Sequence, residues 1–246
     1  MNLYPLLRRP LLRRPLLKQF GYRLFPGLCL CCNLPSGRDI DLCQGCEAAL
    51  PAIGHRCQIC ALPLLHTAIC GECLNKPPAF TNIIACYAYQ SPVAELILAL
   101  KNHRNLATGS MLGQLLADRI RATIPRQQYP NLIIPVPLHW RRSLVRGFNQ
   151  SLELARPVGR ELEIAVARNR VKRIQPITQQ GRNKDARRRN LRQAFRVVGN
   201  VRGLRLAIVD DVVTTTGTTR AMAAVLMAAG ASRVDIWCIA RTPLEK

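Results

Sequence analysis

No stretch of this chain is apolar for long enough to cross a membrane. The longest such run, Ala221 to Ala231, falls well short of the roughly 20 residues a spanning helix needs. The first residues also lack the continuous apolar core and small-residue cleavage site of a secretion signal. Acid is scarce too. Against 36 Lys and Arg stand only 14 Asp and Glu, a formal charge of +22 on 246 residues. Half the basic residues, 18 of them, fall between Arg141 and Arg205 with only 4 acidic ones. A field so clustered attracts phosphates, nucleic acid or anionic lipid. Aromatics make up 5% of the chain, and the basic stretch holds chiefly Trp140, Phe148 and Phe195. That is thin support for base stacking along a strand. No residue stands out as a general base.

Cysteine, by contrast, is abundant and unevenly placed. Nine of the eleven lie between Cys29 and Cys73. Eight form C-x-x-C pairs: Cys29/Cys32, Cys43/Cys46, Cys57/Cys60 and Cys70/Cys73. Each pair can bend back so that both sulfurs reach one metal, and two pairs complete a tetrahedral four-thiolate site. Secreted disulfide domains seldom space their cysteines so. The spacing therefore predicts two structural zincs and a reducing cytoplasm. Sequential pairing assigns Cys29, Cys32, Cys43 and Cys46 to one zinc and Cys57, Cys60, Cys70 and Cys73 to the other. Crossed pairing fits the spacing as well. His55 and His66 stand nearby and read as bystanders.

The rest of the chain is organised around residues 204–230. Leu204 to Val209 is an apolar run of strand length that leads into Asp210 and Asp211. A loop of small residues follows, Thr214-Thr215-Thr216-Gly217-Thr218-Thr219. From Arg220 good helix formers run to Gly230, which stops them. Strand, loop and helix bring free backbone N–H groups and the positive end of a helix dipole to one point, which suits phosphate. Two carboxylates beside a phosphate must face something else. Ribose hydroxyls are natural partners, with magnesium held through waters and phosphate oxygens.

Other segments are predicted as follows. Residues 1–28 carry a Pro-Leu-Leu-Arg-Arg repeat whose prolines block a continuous helix. This basic tail is expected to be disordered; an arm touching membrane or nucleic acid is the alternative. Residues 29–76 form the cysteine module and 77–246 the main domain. Strands are expected at Ile83–Tyr89, Leu132–Val136, Ile164–Ala167, Phe195–Val198 and Arg233–Ala240. Helices are expected at Val93–His103, Ser110–Ile120 and from about Gln150 to Glu161. Arg173 to Asn190 is basic and aperiodic, long for a connection inside a compact domain, and reads as a mobile lid or a disordered strip.

The Asp-Asp-Val-Val-Thr-Thr-Thr-Gly-Thr-Thr stretch resembles the phosphoribosyl-pyrophosphate (PRPP) loop of type I phosphoribosyltransferases. With the cysteine pairs and the Pro135-Val-Pro137 and Arg146-Gly-Phe-Asn-Gln150 segments, the chain is similar to the ComF/GntX family. The resemblance implies an α/β, parallel-sheet type I phosphoribosyltransferase fold behind a small N-terminal double zinc ribbon. It implies that Asp210 and Asp211 bind ribose hydroxyls while Thr214, Thr215, Thr216, Gly217, Thr218 and Thr219 hold the 5′-phosphate of PRPP, with magnesium. By position it assigns Arg141, Arg142, Arg146, Asn149 and Gln150 to a pyrophosphate loop. It assigns Arg173, Gln179, Arg187 and Asn190 to a catalytic hood ahead of Ala194-Phe195. Lys101 matches a lysine that could reach the site; a solvated lysine favoured by the helix dipole is the other reading. One departure stands out. Thr216 occupies the place of an expected glycine, so either the loop shifts by one residue or phosphate binding weakens.

Two functions fit. One is a PRPP–magnesium-binding phosphoribosyltransferase-like protein linked to DNA uptake or utilisation. The other is a nucleic-acid-binding or adaptor protein that keeps a phosphate site and contacts single-stranded DNA or a helicase of the uptake machinery.

Overall fold

The structure is a computed structural model that describes residues 27–103, 105–138, 148–174 and 194–243. Most of the basic tail lies outside these, as do Arg141, Arg142, Arg146, Gln179, Arg187 and Asn190. The described strands are β1 (Ile83–Ala88), β2 (Leu132–Pro135), β3 (Val171–Arg173), β4 (Phe195–Val197), β5 (Arg205–Val213) and β6 (Arg233–Arg241). The described α-helices are α1 (Gln44–Ala48), α2 (Gly71–Asn75), α3 (Val93–His103), α4 (Leu106–Thr123), α5 (Gln150–Leu162) and α6 (Gly217–Ala228).

Four of these strands, β1, β2, β5 and β6, are mainly apolar, as strands covered on both faces are. They form one parallel sheet in the order β1-β6-β5-β2. Side chains alternate between its faces. Ile134, Leu206, Ile208, Val234 and Ile236 share one core with Ala221, Met222 and Leu226 of α6. The short antiparallel pair β3–β4 brings Val171 and Phe195 into the same core. Helices α4 and α5 cover the opposite face, where the Cys86 thiol reaches the carbonyl of Leu115. The helix after β5 and the helix after β2 therefore lie on opposite faces of two neighbouring strands. That reversal opens a crevice at their carboxyl ends, the place where open α/β sheets bind ligands.

The chain divides into two compact units, Met1–Ala48 and Ala49–Lys246. Each holds a cysteine turn of the same build. In the first, Cys29 N–H donates to Leu34 O (2.8 Å), Asn33 N–H to Cys29 O (2.8 Å), and Asn33 turns at φ 59°. In the second, Cys57 N–H donates to Leu62 O (2.8 Å), Ala61 N–H to Cys57 O (2.9 Å), and Ala61 turns at φ 53°. Cys-Leu-Cys-Cys-Asn-Leu-Pro35 and Cys-Gln-Ile-Cys-Ala-Leu-Pro63 are thus two copies of one motif. In the larger unit the second turn joins the edge of the sheet: Ile83 N–H donates to Ile59 O at 2.8 Å, and Cys57, Cys60, Cys70 and Cys73 sit in the same core as α6.

Several boundaries differ from the sequence reading. Helix α4 starts at Leu106 because Asn105 caps it, accepting from Thr108 N–H at 3.1 Å. The expected strand at 164–167 is a single bridge between Val166 and Ile133. Strand β5 runs on through both aspartates to Val213, and α6 begins at Gly217. Arg173 is not part of an irregular segment; it ends β3 opposite Phe195.

Helices α4 and α5 approach closely at Gly113. A β-carbon there would run into Cγ of Pro157 and lie 2.9 Å from the carbonyl oxygen of Leu154. Both neighbours belong to one helix and cannot move apart independently. Gly113→Ala is expected to destabilise the fold by about 1–3 kcal/mol. The readout is a lower urea midpoint with an unchanged slope.

Candidate functional site

Asp210 and Asp211 stand near the carboxyl end of β5, inside the crevice. Alternation sends their side chains in different directions, and each meets its own partner. Asp210 Oδ1 accepts from the Ser151 hydroxyl at 3.0 Å and from the Asp211 N–H at 3.0 Å. Ser151 lies in the first turn of α5, so the neighbouring helix fixes this carboxylate. Asp211 Oδ2 lies 2.6 Å from Lys101 Nζ, near the end of α3. Of the two readings of Lys101, the structure shows the one that reaches the site. Burial and the Asp211 charge push Asp210 up to about 8, against the pull of Ser151. A carboxyl held that high is short of a positive neighbour or of donor hydroxyls.

Beyond Val213 the chain turns. Buried Arg241, at the end of β6, donates through Nη1 to the carbonyls of Val213 (3.0 Å), Thr214 and Thr242 (2.9 Å), and through Nε to Cys60 O (3.0 Å). A trans peptide places its N–H opposite its C=O. With the carbonyls of Val213 and Thr214 aimed at Arg241, the N–H groups of Thr214 and Thr215 are turned to the other side. Thr216 then adopts left-handed φ 56°, ψ −3° and starts α6. Threonine here takes up the left-handed conformation for which glycine is the usual choice. Such a residue is strained by about 1–2 kcal/mol. Its hydroxyl accepts from Arg220 Nε at 2.9 Å, and its carbonyl takes the Thr219 hydroxyl at 2.9 Å and Arg220 N–H at 2.8 Å. The amides of Gly217, Thr218 and Thr219 belong to the first helical turn, which an α-helix leaves without internal acceptors. Thr214 and Thr215 are exposed, while Thr216 and Thr219 are buried. Outward-facing amides, a helix N-terminus and two carboxylates thus follow one another within ten residues at the carboxyl end of β5.

Asn149 and Gln150 open α5 on the β2 side. The Asn149 carboxamide accepts from Leu152 N–H (3.3 Å) and donates to Val136 O (3.0 Å), tying helix to strand. Gln150 Nε2 is buried and without a hydrogen-bond partner among the described residues. Arg173 holds its guanidinium 5.8 Å over the Phe195 ring. Sequence reasoning missed Ser151, Arg220 and the role of Arg241.

The cysteines gather in sequential pairs. Cys29, Cys32, Cys43 and Cys46 form one quartet and Cys57, Cys60, Cys70 and Cys73 the other, each with its sulfurs within 4.8 Å of one another. Measured edges are 3.9 Å for Cys32–Cys43 and 3.7 Å for Cys60–Cys70. Zinc–sulfur bonds of about 2.3 Å in a tetrahedron give edges of about 3.8 Å. Burial opposes a Cys57 thiolate, but the N–H groups of Cys60, Cys70 and Ile59 bring it down to about 7. Burial, with the charge on Cys57, then pushes Cys60 up to about 11. Four thiolates can share this space only around a cation. Both quartets fit structural zinc, with protein filling every position. His55 is bonded to Thr67 at 3.2 Å and joins neither.

Residues 22–74 match the double zinc ribbon domain family. Among curated proteins, the DNA utilization protein YhgH of Salmonella typhimurium is 36% identical over 224 residues, covering 88% of this chain and 98% of that protein. The protein of the same name from Shigella flexneri is 38% identical, with the same coverage. Competence protein F of Haemophilus influenzae is 32% identical over 81% of this chain and 90% of its own length. A zinc-ribbon module on a parallel α/β domain is thus the class to which the molecule belongs. The chain is a member of the family of DNA utilization protein YhgH and competence protein F. Among solved structures, a glutamine PRPP amidotransferase from B. subtilis overlaps 52% of this chain and 25% of its own, at 20% identity and a TM-score of 0.37. A purine phosphoribosyltransferase from Pyrococcus horikoshii overlaps 55% of this chain and 73% of its own, at 19% identity and a TM-score of 0.35. Overlaps of that size do not bear on what the chain does. None of the described helices is long and apolar enough to cross a membrane.

Asp210 yields a pH prediction. Its folded pKa is about 8, above the roughly 3.9 of an unfolded Asp. Between those values the folded state binds more protons, so this group's contribution to stability is present at low pH and lost as pH rises through about 8. Asp210→Asn should flatten the fall of the ligand-free melting temperature across that window and raise it at the alkaline end. Equal pH slopes for the two proteins would show that Asp210 ionises normally.

Proposed function

We propose that this crevice binds a ribose phosphate, and that the ligand is PRPP with magnesium. One observation carries the reading. Two adjacent carboxylates and the outward amides of a left-handed turn stand together at the carboxyl end of β5, where the sheet reverses its winding. A phosphate takes the amides of Thr214 to Thr219 and the positive end of α6. Vicinal hydroxyls donate to Asp210 and Asp211. A ribose 5-phosphate carries both groups on one sugar. Magnesium, when bound with the ligand, supplies neutralising charge at the pyrophosphate. Asn149 and Gln150, at the start of α5, are assigned in this reading to the pyrophosphate side. Arg141, Arg142 and Arg146 are the guanidinium partners this reading assigns to the pyrophosphate, with Arg173 at the end of β3 and Gln179, Arg187 and Asn190 beyond it as the expected hood.

Transfer to an acceptor is the reaction that such a site supports. The bond from C1 to the pyrophosphate oxygen breaks, pyrophosphate leaves with the electron pair, and a nucleophile bonds to C1. Charge grows on the leaving group, so fixed arginines there stabilise the transition state. The work is done in the cytoplasm, where the thiolate sites remain reduced.

The names of the relatives and the concentration of charge favour a second role beside it. With 18 Lys and Arg between Arg141 and Arg205, the chain has the footprint of a polyanion binder. Single-stranded DNA or a helicase of the uptake machinery is the partner of that surface.

Calorimetry on the zinc-loaded protein tests the first role. PRPP with magnesium should bind, and Asp211→Asn should weaken it about tenfold or more, the worth of a hydrogen bond to a charged group. No heat from the unmutated protein would end this reading. Salt-sensitive DNA binding that vanishes when Arg187, Arg188 and Arg189 are neutralised would then leave the second role alone.

A further inference from the structure

The second thiolate quartet and the phosphate turn are joined by one side chain. Arg220, in the first turns of α6, spreads its guanidinium across both. Its Nε donates to the Thr216 hydroxyl at 2.9 Å. Its Nη1 donates to Lys76 O at 2.7 Å. Its Nη2 points at the Cys73 sulfur, 3.7 Å away, with Glu72 Oε1 also at 3.7 Å. Lys76 and Cys73 lie 144 and 147 positions from Arg220 in the chain. Arg241 makes a second link through Cys60 O and the carbonyls of Val213 and Thr214. Two buried or half-buried guanidinium groups thus run from the quartet to the two ends of one turn.

The charges explain why an arginine belongs there. Four thiolates around a zinc ion carry a net double negative charge, and a hydrogen bond from an outer cation steadies both the charge and the geometry. Guanidinium alone among side chains offers five donors in a fixed plane. It can therefore hold a sulfur, a carbonyl and a hydroxyl at once. Thr216 is the residue that most needs holding, because its left-handed backbone is strained without support. Withdraw the thiolate charge, and Arg220 loses an anchor on the side away from the turn.

We infer that Arg220 is a positioning residue that couples the Cys57–Cys73 metal site to the phosphate turn, so that loading of that site sets the affinity for the sugar phosphate. The inference rests on the reading of the turn given under the proposed function. By linkage the effect is reciprocal: ligand in the turn slows loss of metal from this quartet, and the quartet of the smaller unit does not respond.

The test uses the full chain carrying zinc, with Arg220→Gln beside the unmutated protein. Zinc release to a chromogenic chelator is followed with and without PRPP and magnesium. The unmutated protein should release its two zincs in separable phases, one of them slowed by PRPP. Arg220→Gln should speed that phase about tenfold, in line with the loss of an outer-shell partner. It should leave the other phase alone and abolish the effect of PRPP. Its PRPP affinity by calorimetry should fall severalfold, and removing zinc from the unmutated protein should reproduce that fall. A general loss of stability would speed both phases together, and that result overturns the inference. So does zinc release that is unchanged in Arg220→Gln, or PRPP binding indifferent to zinc. If the unmutated protein binds no PRPP while Arg220→Gln still sheds one zinc faster, the proposed ligand fails and the Arg220–thiolate link stands.

Discussion

The orientation of two peptide planes governs the site. The carbonyls of Val213 and Thr214 are taken by the buried guanidinium of Arg241, and planarity then turns the following amides the other way. A turn free to choose would fold its donors back onto its own hydroxyls. Here it cannot, because the carbonyls are already held from below by a cation that has no exposed surface to retreat to. Backbone strain at Thr216 follows from the same constraint. Once the carbonyls are fixed and α6 must start, one residue has to turn left-handed. Threonine bears that strain with its hydroxyl engaged, where a glycine would have avoided it.

Electrostatics in the crevice run against the net charge of the chain. A protein of +22 has placed two adjacent, largely buried carboxylates at the end of its central strand. Each is held by an element distant in sequence, Asp210 by Ser151 of α5 and Asp211 by Lys101 of α3. The raised pKa of Asp210 measures how incomplete that support is without a ligand. Donor hydroxyls, or a cation arriving with its own phosphate, would complete it. Under the proposed function, the basic field would draw polyphosphate in and the carboxylates would select the one that carries a diol.

Much of this was legible from local pattern. Each C-x-x-C pair is a single turn, so its spacing alone announces a metal site. The apolar runs at 83–89, 132–136, 204–209 and 233–240 each announced a strand of the sheet, and the Asp-Asp step into a threonine loop announced the turn from strand to helix. What escaped has no local signature. Arg220 reaches Cys73 across 147 positions and Arg241 reaches Cys60 across 181; each looked like an ordinary helix or strand terminus. Ser151 is one hydroxyl in a helical first turn, indistinguishable in sequence from a solvated one. Strand β3 is three residues long, too short for alternation to register. The repeat of the cysteine turn was legible in Cys-x-x-Cys-x-Leu-Pro, but the eye follows the metal ligands and passes over the Leu-Pro that closes each turn.

Central to the account is that the amides between β5 and α6 hold a sugar phosphate. Amide hydrogen exchange across residues 210–220, followed by mass spectrometry on the zinc-loaded protein, reads those N–H groups directly. Addition of PRPP with magnesium should slow exchange in that stretch more than in any other part of the sheet domain. Exchange there that is indifferent to PRPP, with protection appearing only elsewhere or nowhere, would contradict it.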